Sequence, residues 1–579
     1  MEQFKRKNIV FYTIITLVSL ICVIANFFLK DKIISVCIIN SFVIILLCIM
    51  LGHYYLKPKV ESISTNQPNN TVNKSKKEKV IFYTVFWTAI LIAILLRTLN
   101  YLNYPAGINQ DEASMVYDAW SILNHEIDRN GHSYPIYAEA WGNGQNVLLT
   151  YLTIPFVKIF GMNLFSARIV MLLVSISSIF GFYLLMKEIT NNKQIALISM
   201  IIYIICPWQI MLSRWGLESN LFPLVAIWAI YFLIKSTKQN NHWYLLPSCV
   251  IFGISLYSYA ISYIFVPLFL IVCYIIMFKK KLLHLNSFIV SNVILLIFAL
   301  PLMLFLAVNY GIIGEFSIGK ISIYKMNSIR TSEIGFSFKN IINLFRLLFL
   351  GQDGLQYNYP FNIGFLYIIA LPLSIFGIFS SCSKIFKEKK INYILAFVWL
   401  TISLFISLFI QDVNVNKINI LMPAILIFES FGIYELIKYS KISFLALSSI
   451  LLCLIVMFST VYFNNYGKND KITFNAGLTE SISYANCIKG NKNVLIDETI
   501  HDSYIYYLYT IKYDTIEYLN SRVVNENNVV ISIGELNFCW NLENLDTNTI
   551  YIVKKKNYHK LGTHNMNVKE FENFYVLYN

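Results

Sequence analysis

Apolar stretches about 20 residues long recur along most of this chain of 579 residues. A helix of that length crosses roughly 30 Å of hydrocarbon and satisfies its own backbone hydrogen bonds, so each stretch predicts a transmembrane helix. Charged residues make up only 13% of the chain, against about 25% in soluble domains, so most of the surface must contact lipid. The predicted spans are thirteen: 8–29, 33–55, 80–98, 164–186, 194–212, 217–234, 243–260, 261–278, 286–307, 363–381, 391–410, 419–437 and 443–462.

Lysine and arginine are distributed unevenly between the two sides of the predicted bundle. Connections on the side of the N-terminus carry clusters such as Lys5–Lys7, Lys74–Lys79, Lys279–Lys281 and Lys384–Lys390. The short loops on the other side are poorer in cations, and cationic loops stay in the cytoplasm. The N-terminus is therefore predicted to be cytoplasmic, and residues 463–579 to lie outside the cell membrane. The net charge of +14 largely reflects this asymmetry, so it indicates membrane topology and not a nucleic-acid partner.

Composition divides the chain into four parts. Residues 1–56 form a predicted two-helix hairpin, and residues 57–79 a flexible cytoplasmic linker rich in Asn, Ser and Lys. Residues 80–462 form the main bundle. Residues 463–579 contain the short β-type runs VLID, YIYYL, VVISI, TIYIV and FYVLY, with helices predicted near 475–487 and 514–521. The predicted fold is an all-α polytopic membrane bundle followed by a small extracytoplasmic α/β domain.

The last part contains two cysteines, Cys487 and Cys539. They are expected to pair only if the compartment is oxidising, and the sequence leaves that question open.

Polar residues are concentrated in the first long outer loop, residues 99–163. Loops longer than about 15 residues in compact folds are often functional. Asn109 and Glu112 have the spacing of a capping box, which predicts a helix from residue 110. Asp111 and Glu112 then lie in its first turn, where the helix dipole favours carboxylates. Adjacent acidic residues are also common in plain solvated caps, so the pair alone does not decide between function and capping.

Two helices in this loop are predicted to be interfacial. In the first, Val116, Trp120 and Leu123 fall on one face, as in a helix that lies in the membrane surface. The second, over 145–160, follows Glu139; it is short and interrupted by proline, which argues against a span.

The order of these motifs resembles the GT-C membrane glycosyltransferases, and more narrowly family 39, the protein mannosyltransferases, and the related lipid A aminoarabinose transferases. The resemblance covers roughly residues 80–440. It begins with the Asp-Glu pair that opens the first helix of the loop. Four later segments continue it in order: NGQNVLLTYLTIPFVKIFGMNLFSARI, SRWGLESNLFPL, DGLQYNYPFNIGFLY and NVNKINILMP.

The resemblance implies an inverting transferase that moves a sugar from a polyprenyl-phosphate carrier to an acceptor at the outer membrane face. The acceptor is a glycan, lipid or protein that the sequence does not identify. Asp111 matches the family's catalytic base. Glu112 is expected to orient it, or to bind a metal or the acceptor. Glu139 matches a carboxylate of the aminoarabinose enzymes, although the following AWGNGQ departs from their pattern.

Further positions are implied by the same resemblance. Arg168, Arg214 and Lys417 are expected at the donor phosphate, with Lys417 standing where the family often has Arg; their alternative role is contact with lipid headgroups. The loop positions implied for donor or acceptor are Glu218, Asn220, Asp353 and Tyr357. Glu218 and Asn220 have helix capping as an alternative.

Other classes of protein stay open. A polysaccharide polymerase or ligase would rely more on the later outer loop, 308–362, and a transporter of lipid-linked glycans would place polar groups near mid-membrane. Ligand spacing indicates no zinc site and no nucleotide-phosphate loop, so metal dependence and any divalent metal cofactor stay unknown.

Overall fold

The computed structural model describes residues 71–238, 241–326, 335–360, 363–439, 441–465, 474–497, 499–525, 530–534, 536–538, 546, 548–559 and 566–579. The predicted spans 8–29 and 33–55, the linker residues 57–70 and Cys539 lie outside the described residues. Cys487 is exposed.

Helices dominate the described chain up to residue 465, because its apolar stretches satisfy their backbone hydrogen bonds internally. Each predicted span from 80–98 onward overlaps a helix; the first of these helices begins earlier, at Thr71, span 194–212 is divided between two helices, and the helix of span 363–381 begins only at Ala370. The helices of this region are α1 Thr71–Thr98, α2 Gln110–His125, α3 Leu148–Phe160, α4 Leu164–Thr190, α5 Lys193–Ile205, α6 Pro207–Leu212, α7 Glu218–Ser236, α8 Leu245–Ser255, α9 Ser262–Lys279, α10 Leu285–Asn309, α11 Phe338–Leu350, α12 Ala370–Cys382, α13 Ile391–Leu408, α14 Val415–Ile418, α15 Leu421–Tyr439 and α16 Lys441–Asn465. Short 3-10 and π turns cover His242–Tyr244 and Ser383–Lys387.

Seven helical segments among the described residues are long and apolar enough to cross a membrane. They are Lys79–Thr98, Leu164–Thr190, Glu218–Ser236, Ser262–Lys279, Leu285–Asn309, Ile391–Leu408 and Ser443–Asn464. The chain is therefore a multi-pass membrane protein. The total of thirteen spans stays a prediction.

Helices α12 and α15 pack backbone against backbone through two glycines. A Cβ atom on Gly377 would lie 1.7 Å from the carbonyl oxygen of Phe428, and one on Gly432 would lie 2.1 Å from that of Leu373. Small residues permit such close approach, which gives van der Waals contact between helices in lipid. This contact fixes α15 and, with it, the short helix α14 that precedes it.

The C-terminal part contains a mixed β-sheet. Two hairpins precede it in the chain, β1 Tyr137–Ala140 with β2 Asn143–Asn146, and β3 Phe316–Ile318 with β4 Ile321–Ile323. The sheet itself has seven strands in the order β10-β11-β9-β5-β8-β7-β6, with β5 parallel to β8 and β9 and the other pairs antiparallel. Its strands are β5 Asn493–Ile496, β6 Arg522–Val524, β7 Val530–Ile533, β8 Leu536–Asn537, β9 Thr549–Lys554, β10 Asn567–Glu570 and β11 Phe574–Tyr578.

The helices of this part are α17 Leu478–Ile488, α18 Ser503–Ile511, α19 Thr515–Ser521 and α20 Lys555–Tyr558. The run YIYYL was wrong as a predicted strand, because residues 504–508 lie in α18. Its tyrosines favour strands, but the segment is buried between the sheet and α2, and this packing overrides local propensity.

Helix α2 is enclosed between the bundle and the C-terminal part, in contrast to the one-sided burial that its pattern predicted. Met115 packs into the core of the bundle, whereas Val116 and Tyr117 belong to a second core shared with α18. The Tyr117 hydroxyl donates to the carbonyl oxygen of Tyr513 at 2.8 Å, and His125 contacts Asp514 at 3.0 Å. Helix α2 is thereby held at the boundary between the two parts.

Candidate functional site

The first turn of α2 carries the capping box that the sequence predicted. The side chain of Asn109 accepts from the Asp111 amide at 2.9 Å, and the Glu112 carboxylate accepts from the Asn109 amide at 3.1 Å. Asp111 is half-buried, whereas Glu112 is fully buried. The two adjacent carboxylates therefore have different surroundings.

Trp141 holds the carboxylate of Asp111. Its indole N–H donates to Oδ1 of Asp111 at 2.8 Å. Trp141 reaches that position because it occupies the two-residue turn of the β1–β2 hairpin, where Trp141 and Gly142 have φ values of 52° and 70°. Two positive φ values are typical of a type I′ hairpin turn. The sequence predicted neither the hairpin nor this contact.

A buried ion pair between Arg129 and Asp118 lies beside the Trp141 ring. The Arg129 guanidinium lies 5.3 Å from the centroid of the Trp141 ring and pairs with Asp118. Burial alone would lower the pKa of Arg129, but Asp118 together with Tyr504, Asp128 and Tyr518 outweighs burial and holds that pKa above its usual range. Arg129 also lies close enough to Tyr504 of α18 to interact with it electrostatically. Arg129 therefore joins the Trp141 turn to the C-terminal part.

Glu112 and Arg168 form a second buried ion pair. Glu112 accepts from Arg168 Nε at 2.8 Å and from the Gly216 amide at 2.8 Å. Arg168 also donates to the carbonyl oxygens of Pro105 and Gly107. Both side chains are fully buried. The predicted catalytic role of Glu112 and phosphate role of Arg168 stay predictions; in this structure the two residues join α2, α4 and the turn before α7.

Arg214 belongs to the turn between α6 and α7, and its side chain packs against the end of α1. Its guanidinium donates to four backbone carbonyls of that region, those of Leu96, Leu99, Asn100 and Tyr104. It also contacts the rings of Tyr462 and Phe463 at the end of α16. Its phosphate role stays a prediction, and the observed contacts connect α1 to α16.

Glu218 and Asn220 are buried at the start of α7. Glu218 accepts from the amide of Asn146, whose side chain donates to the Tyr263 hydroxyl at 2.6 Å. Asn220 accepts from Nδ2 of Asn419 at 3.0 Å. These two predicted site residues therefore join β2, α7 and the start of α15, and neither lines a cavity described below.

Asp353 and Tyr357 belong to one turn of the later outer loop. Asp353 accepts from Asn358 Nδ2 at 2.7 Å and from the Val415 amide at 3.0 Å, so it fixes this turn against α14. Burial raises the pKa of Asp353, and these hydrogen bonds oppose the shift. Tyr357 packs its ring edge-on against Trp215, with centroids 5.7 Å apart.

Glu139 lies on β1, opposite Gly144 of β2. Its carbonyl oxygen accepts from Arg129 at 3.1 Å and from the Asn130 side chain at 2.9 Å. Glu139 is half-buried and does not line the cavity that contains Asp111. Its predicted catalytic role stays a prediction.

Asp111 opens into a polar cavity of about 1110 Å³. One wall comes from the bundle and its loops, and the other from the C-terminal part. The described residues that line it are Asn109, Gln110, Asp111, Trp141, Gly142, Trp215, Leu217, Tyr357, Asn416, Asn475, Thr499, Ile500, His501, Asp502, Ser503, Tyr504, Tyr506, Val530, Phe538 and Lys554. The structure thus brings Asp111 and Tyr357 to the same cavity, and their predicted roles there stay predictions.

Lys417 lies in a second, apolar cavity of about 490 Å³ between α9, α10 and α13. Its described lining is Tyr137, Tyr259, Ala260, Ile261, Tyr263, Ile264, Leu268, Leu302, Phe305, Leu306, Tyr310, Phe405, Ile406, Phe409, Ile410 and Lys417. We call it the apolar groove. Asn416 and Lys417 are consecutive, yet Asn416 lines the polar cavity together with Tyr357. The two cavities therefore meet at α14.

Metal ligands do not cluster among the described residues: no group of three His, Cys, Asp or Glu side chains could hold an ion there.

Comparison with known proteins agrees with this architecture. The family model of dolichyl-phosphate-mannose-protein mannosyltransferase matches residues 146–305. The crystal structure of ArnT from Cupriavidus metallidurans in the apo state has a TM-score of 0.52 at 11% identity, over 87% of this chain and 98% of that chain. The chain is similar to family 39 GT-C glycosyltransferases. The resemblance seen in the motifs is thereby confirmed.

A second structure of the same ArnT, bound to undecaprenyl phosphate, has a TM-score of 0.50 at 12% identity, again over 87% and 98% of the two chains. At these identities the likeness establishes the GT-C fold. No curated protein sequence matches the chain.

Proposed function

We propose that this protein is an inverting glycosyltransferase that moves a sugar from a polyprenyl-phosphate carrier to an acceptor hydroxyl at the outer membrane face. One observation carries the proposal. The Asp111 carboxylate lines a polar cavity, and that cavity meets an apolar groove containing a lysine at a single short helix. A lipid-linked sugar needs both environments, one for its hydrocarbon chain and one for the group that is transferred.

The apolar groove suits the carrier lipid. Its lining is mostly aliphatic and aromatic, which favours a hydrocarbon chain by the hydrophobic effect. Lys417 supplies a positive charge, and its ammonium donates to the Gln411 carbonyl oxygen at 3.2 Å. The negative charge on the carrier phosphate grows as the sugar leaves, so a fixed cation stabilises the transition state more than the ground state. The family match and the likeness to ArnT support this placement of a lipid phosphate.

The polar cavity suits the acceptor. Asp111 is expected to take the proton of an acceptor hydroxyl, whose oxygen then attacks the anomeric carbon of the sugar. The bond from that carbon to the carrier phosphate oxygen breaks, and the polyprenyl phosphate leaves with the electron pair. In-line attack inverts the anomeric centre. Trp141 keeps the carboxylate in one orientation, which lowers the entropic cost of the reacting geometry.

The direction of the site belongs to the same proposal. With the N-terminus in the cytoplasm, as the distribution of Lys and Arg indicates, the polar cavity and residues 463–579 are outside. The four domains with boundaries at 56, 79 and 462 are also part of it. Labelling of a single cysteine introduced at exposed Asp412 with a membrane-impermeant maleimide tests the orientation; labelling only after the membrane is opened would contradict it.

Replacement of the proposed base is the central experiment. Full-length protein in lipid nanodiscs is incubated with a panel of polyprenyl-phosphate sugars, and release of the polyprenyl phosphate is measured with a glycan, lipid or peptide acceptor. Asp111→Asn is expected to lower turnover by roughly 10²- to 10⁴-fold, the usual contribution of a general base. Asp412→Asn, an exposed carboxylate of another loop, is the matched control and should retain activity.

Full activity of Asp111→Asn would contradict the proposal. If variants in loop 308–362 then abolished activity, a polymerase or ligase mechanism would take its place.

A further inference from the structure

The outer wall of the polar cavity is built by one segment of the C-terminal part. This segment, residues 499–504, leads from the end of β5 into α18 and contributes all six of its residues to the lining. The opposite wall holds the start of α2 and the Trp141 turn. Any acceptor that reaches Asp111 therefore lies against residues 499–504, which we call the outer wall.

The outer wall is fixed to the sheet beneath it. Asp497, which is 1% exposed, accepts from Thr499 Oγ1 at 2.6 Å, from the Lys554 amide at 2.9 Å and from Asn557 Nδ2 at 2.8 Å. At its other end, Asp502 has a φ of 49° and precedes the first turn of α18. Residues other than glycine adopt such a left-handed conformation infrequently, and Asp is one of those that tolerate it. The wall is thus held in one conformation before any acceptor binds.

Two carboxylates share the cavity. Asp111 stands on the inner wall and Asp502 on the outer wall, and they are close enough to interact electrostatically. Burial raises the pKa of Asp502; His501 and Arg129 oppose this shift, and Asp111 adds to it. An ionised carboxylate only accepts hydrogen bonds, so this pair selects a ligand that donates them, as hydroxyl groups do.

Cations that would bind an anionic acceptor are few here. No arginine is among the described residues that line the cavity. Arg129 and Arg168 pair with buried carboxylates, and Arg214 binds backbone carbonyls. Lys554 and His501 are the cationic or potentially cationic side chains of this lining, and the Lys554 ammonium donates to the Thr499 carbonyl oxygen at 3.1 Å. An acceptor phosphate would find no planar guanidinium and would face two carboxylates.

Aromatic side chains alternate with these polar groups. Trp141, Trp215, Tyr357, Tyr504 and Tyr506 line the cavity, together with side-chain amides such as those of Asn416 and Asn475. Flat rings beside hydrogen-bonding groups match a sugar ring, which has an apolar face and hydroxyls at its rim. The edges of the C-terminal sheet, β10 and β6, do not line the cavity, so the geometry does not favour an extended peptide added as a strand.

We infer that the acceptor is a neutral carbohydrate, and that Asp502 of the outer wall binds a hydroxyl of it while Asp111 deprotonates the reacting one. The inference rests on the proposed glycosyl transfer and assigns its acceptor class. Asp502 acts in acceptor binding and specificity, and the donor lipid does not contact it.

The experiment measures use of the donor and transfer to the acceptor separately. Full-length protein in nanodiscs receives a polyprenyl-phosphate sugar with water alone, with a neutral trisaccharide, with the same trisaccharide carrying a phosphate, or with a peptide rich in Ser and Thr. Release of polyprenyl phosphate in water measures donor use, and the glycosylated product measures transfer. Product is expected with the neutral trisaccharide at a kcat/KM at least tenfold above that for the other two acceptors.

Variants of the outer wall locate the effect. Asp502→Ala is expected to raise KM for the neutral trisaccharide by about tenfold, as for the loss of one hydrogen bond to a charged group. Glu570→Gln, on the exposed edge strand β10, is the matched control and should change neither reaction.

Preferential transfer to the phosphorylated sugar or to the peptide would overturn the inference, and so would an unchanged KM in Asp502→Ala. Absence of donor release from the wild type under every condition would instead overturn the proposed function itself. An apparent unfolding temperature of Asp502→Ala equal to that of the wild type shows that this variant is folded.

Discussion

The indole N–H of Trp141 donates to Oδ1 of Asp111 at 2.8 Å, so a hairpin turn orients the proposed catalytic base. Trp141→Phe keeps a ring for Arg129 to contact but removes the donor. A hydrogen bond to a charged group contributes about 1.5–3 kcal/mol, so kcat for sugar transfer should fall by roughly 10- to 100-fold with a smaller change in KM. Trp243→Phe, at an exposed tryptophan, is the control. Equal kcat in the two variants would show that this contact does not position Asp111.

The buried pair of Glu112 and Arg168 predicts a loss of stability. Glu112→Gln leaves the Arg168 charge enclosed without its partner, which costs about 3–5 kcal/mol. The apparent unfolding temperature in detergent should therefore drop clearly. Glu126→Gln breaks an exposed pair with Lys320, which water and salt screen, and should leave that temperature almost unchanged. If Glu112→Gln melted like the wild type but did not turn over donor, Glu112 would act in the chemistry and not in the fold.

Lys417 should determine affinity for the phosphate group of the carrier. Lys417→Gln removes the charge from the apolar groove and keeps a similar length of side chain. Binding of polyprenyl phosphate, measured by native mass spectrometry, is expected to weaken by about tenfold or more. The corresponding polyprenol, which has no phosphate, should bind the wild type and the variant alike. Lys320→Gln serves as the control for the loss of a cation, and an equal effect on polyprenol would point to altered packing of the groove.

Asp497 should make the outer wall sensitive to acid. Burial alone would raise its pKa, but hydrogen bonds from Thr499, Asn557 and the Lys554 amide outweigh burial and hold that pKa below its usual range. A lowered pKa in the folded state stabilises the fold above the unfolded value of about 3.9, and this stabilisation is lost as the pH falls through the folded pKa. Asp497→Asn should therefore increase hydrogen exchange in residues 493–511 at neutral pH.

The difference between Asp497→Asn and the wild type should shrink as the pH falls below about 3.9, where the native carboxyl also becomes protonated. Exchange is compared between the two proteins at each pH, so that the intrinsic rate cancels. A difference that stayed constant across this range would mean that the charge of Asp497 does not hold the segment.

Most of the bundle could be predicted from sequence because its helices are long, apolar and bounded by local signals. The capping box of Asn109 and Glu112 depends on residues three apart, and it fixed the start of α2 correctly. The run at 504–508 misled because tyrosine and isoleucine favour strands locally, while the helix they form depends on contacts with α2, far away in the chain.

The candidate site was harder to predict, because a sequence shows which residues carry charge but not what they contact. Asp111 and Tyr357, both predicted site residues, share a cavity. Arg168 and Arg214 suggested phosphate binding, yet the fold turns them toward Glu112 and toward backbone carbonyls. Trp141 was missed because a Trp-Gly turn lacks the usual Asn-Gly signal of a two-residue hairpin. Nothing in the local sequence of residues 499–504 indicated the outer wall, since this segment and Asp111 are far apart in the chain.

The adjacent positions of Asn416 and Lys417 have a consequence for the order in which substrates bind and products leave. In the proposed reaction the lipid-linked donor and the water-soluble acceptor approach this short helix through two different cavities, so neither blocks the other's route. The polyprenyl phosphate can leave through the apolar groove while the glycosylated product leaves through the polar cavity. Such separate exits favour random-order kinetics, in which a high concentration of either product competes only with its own parent substrate.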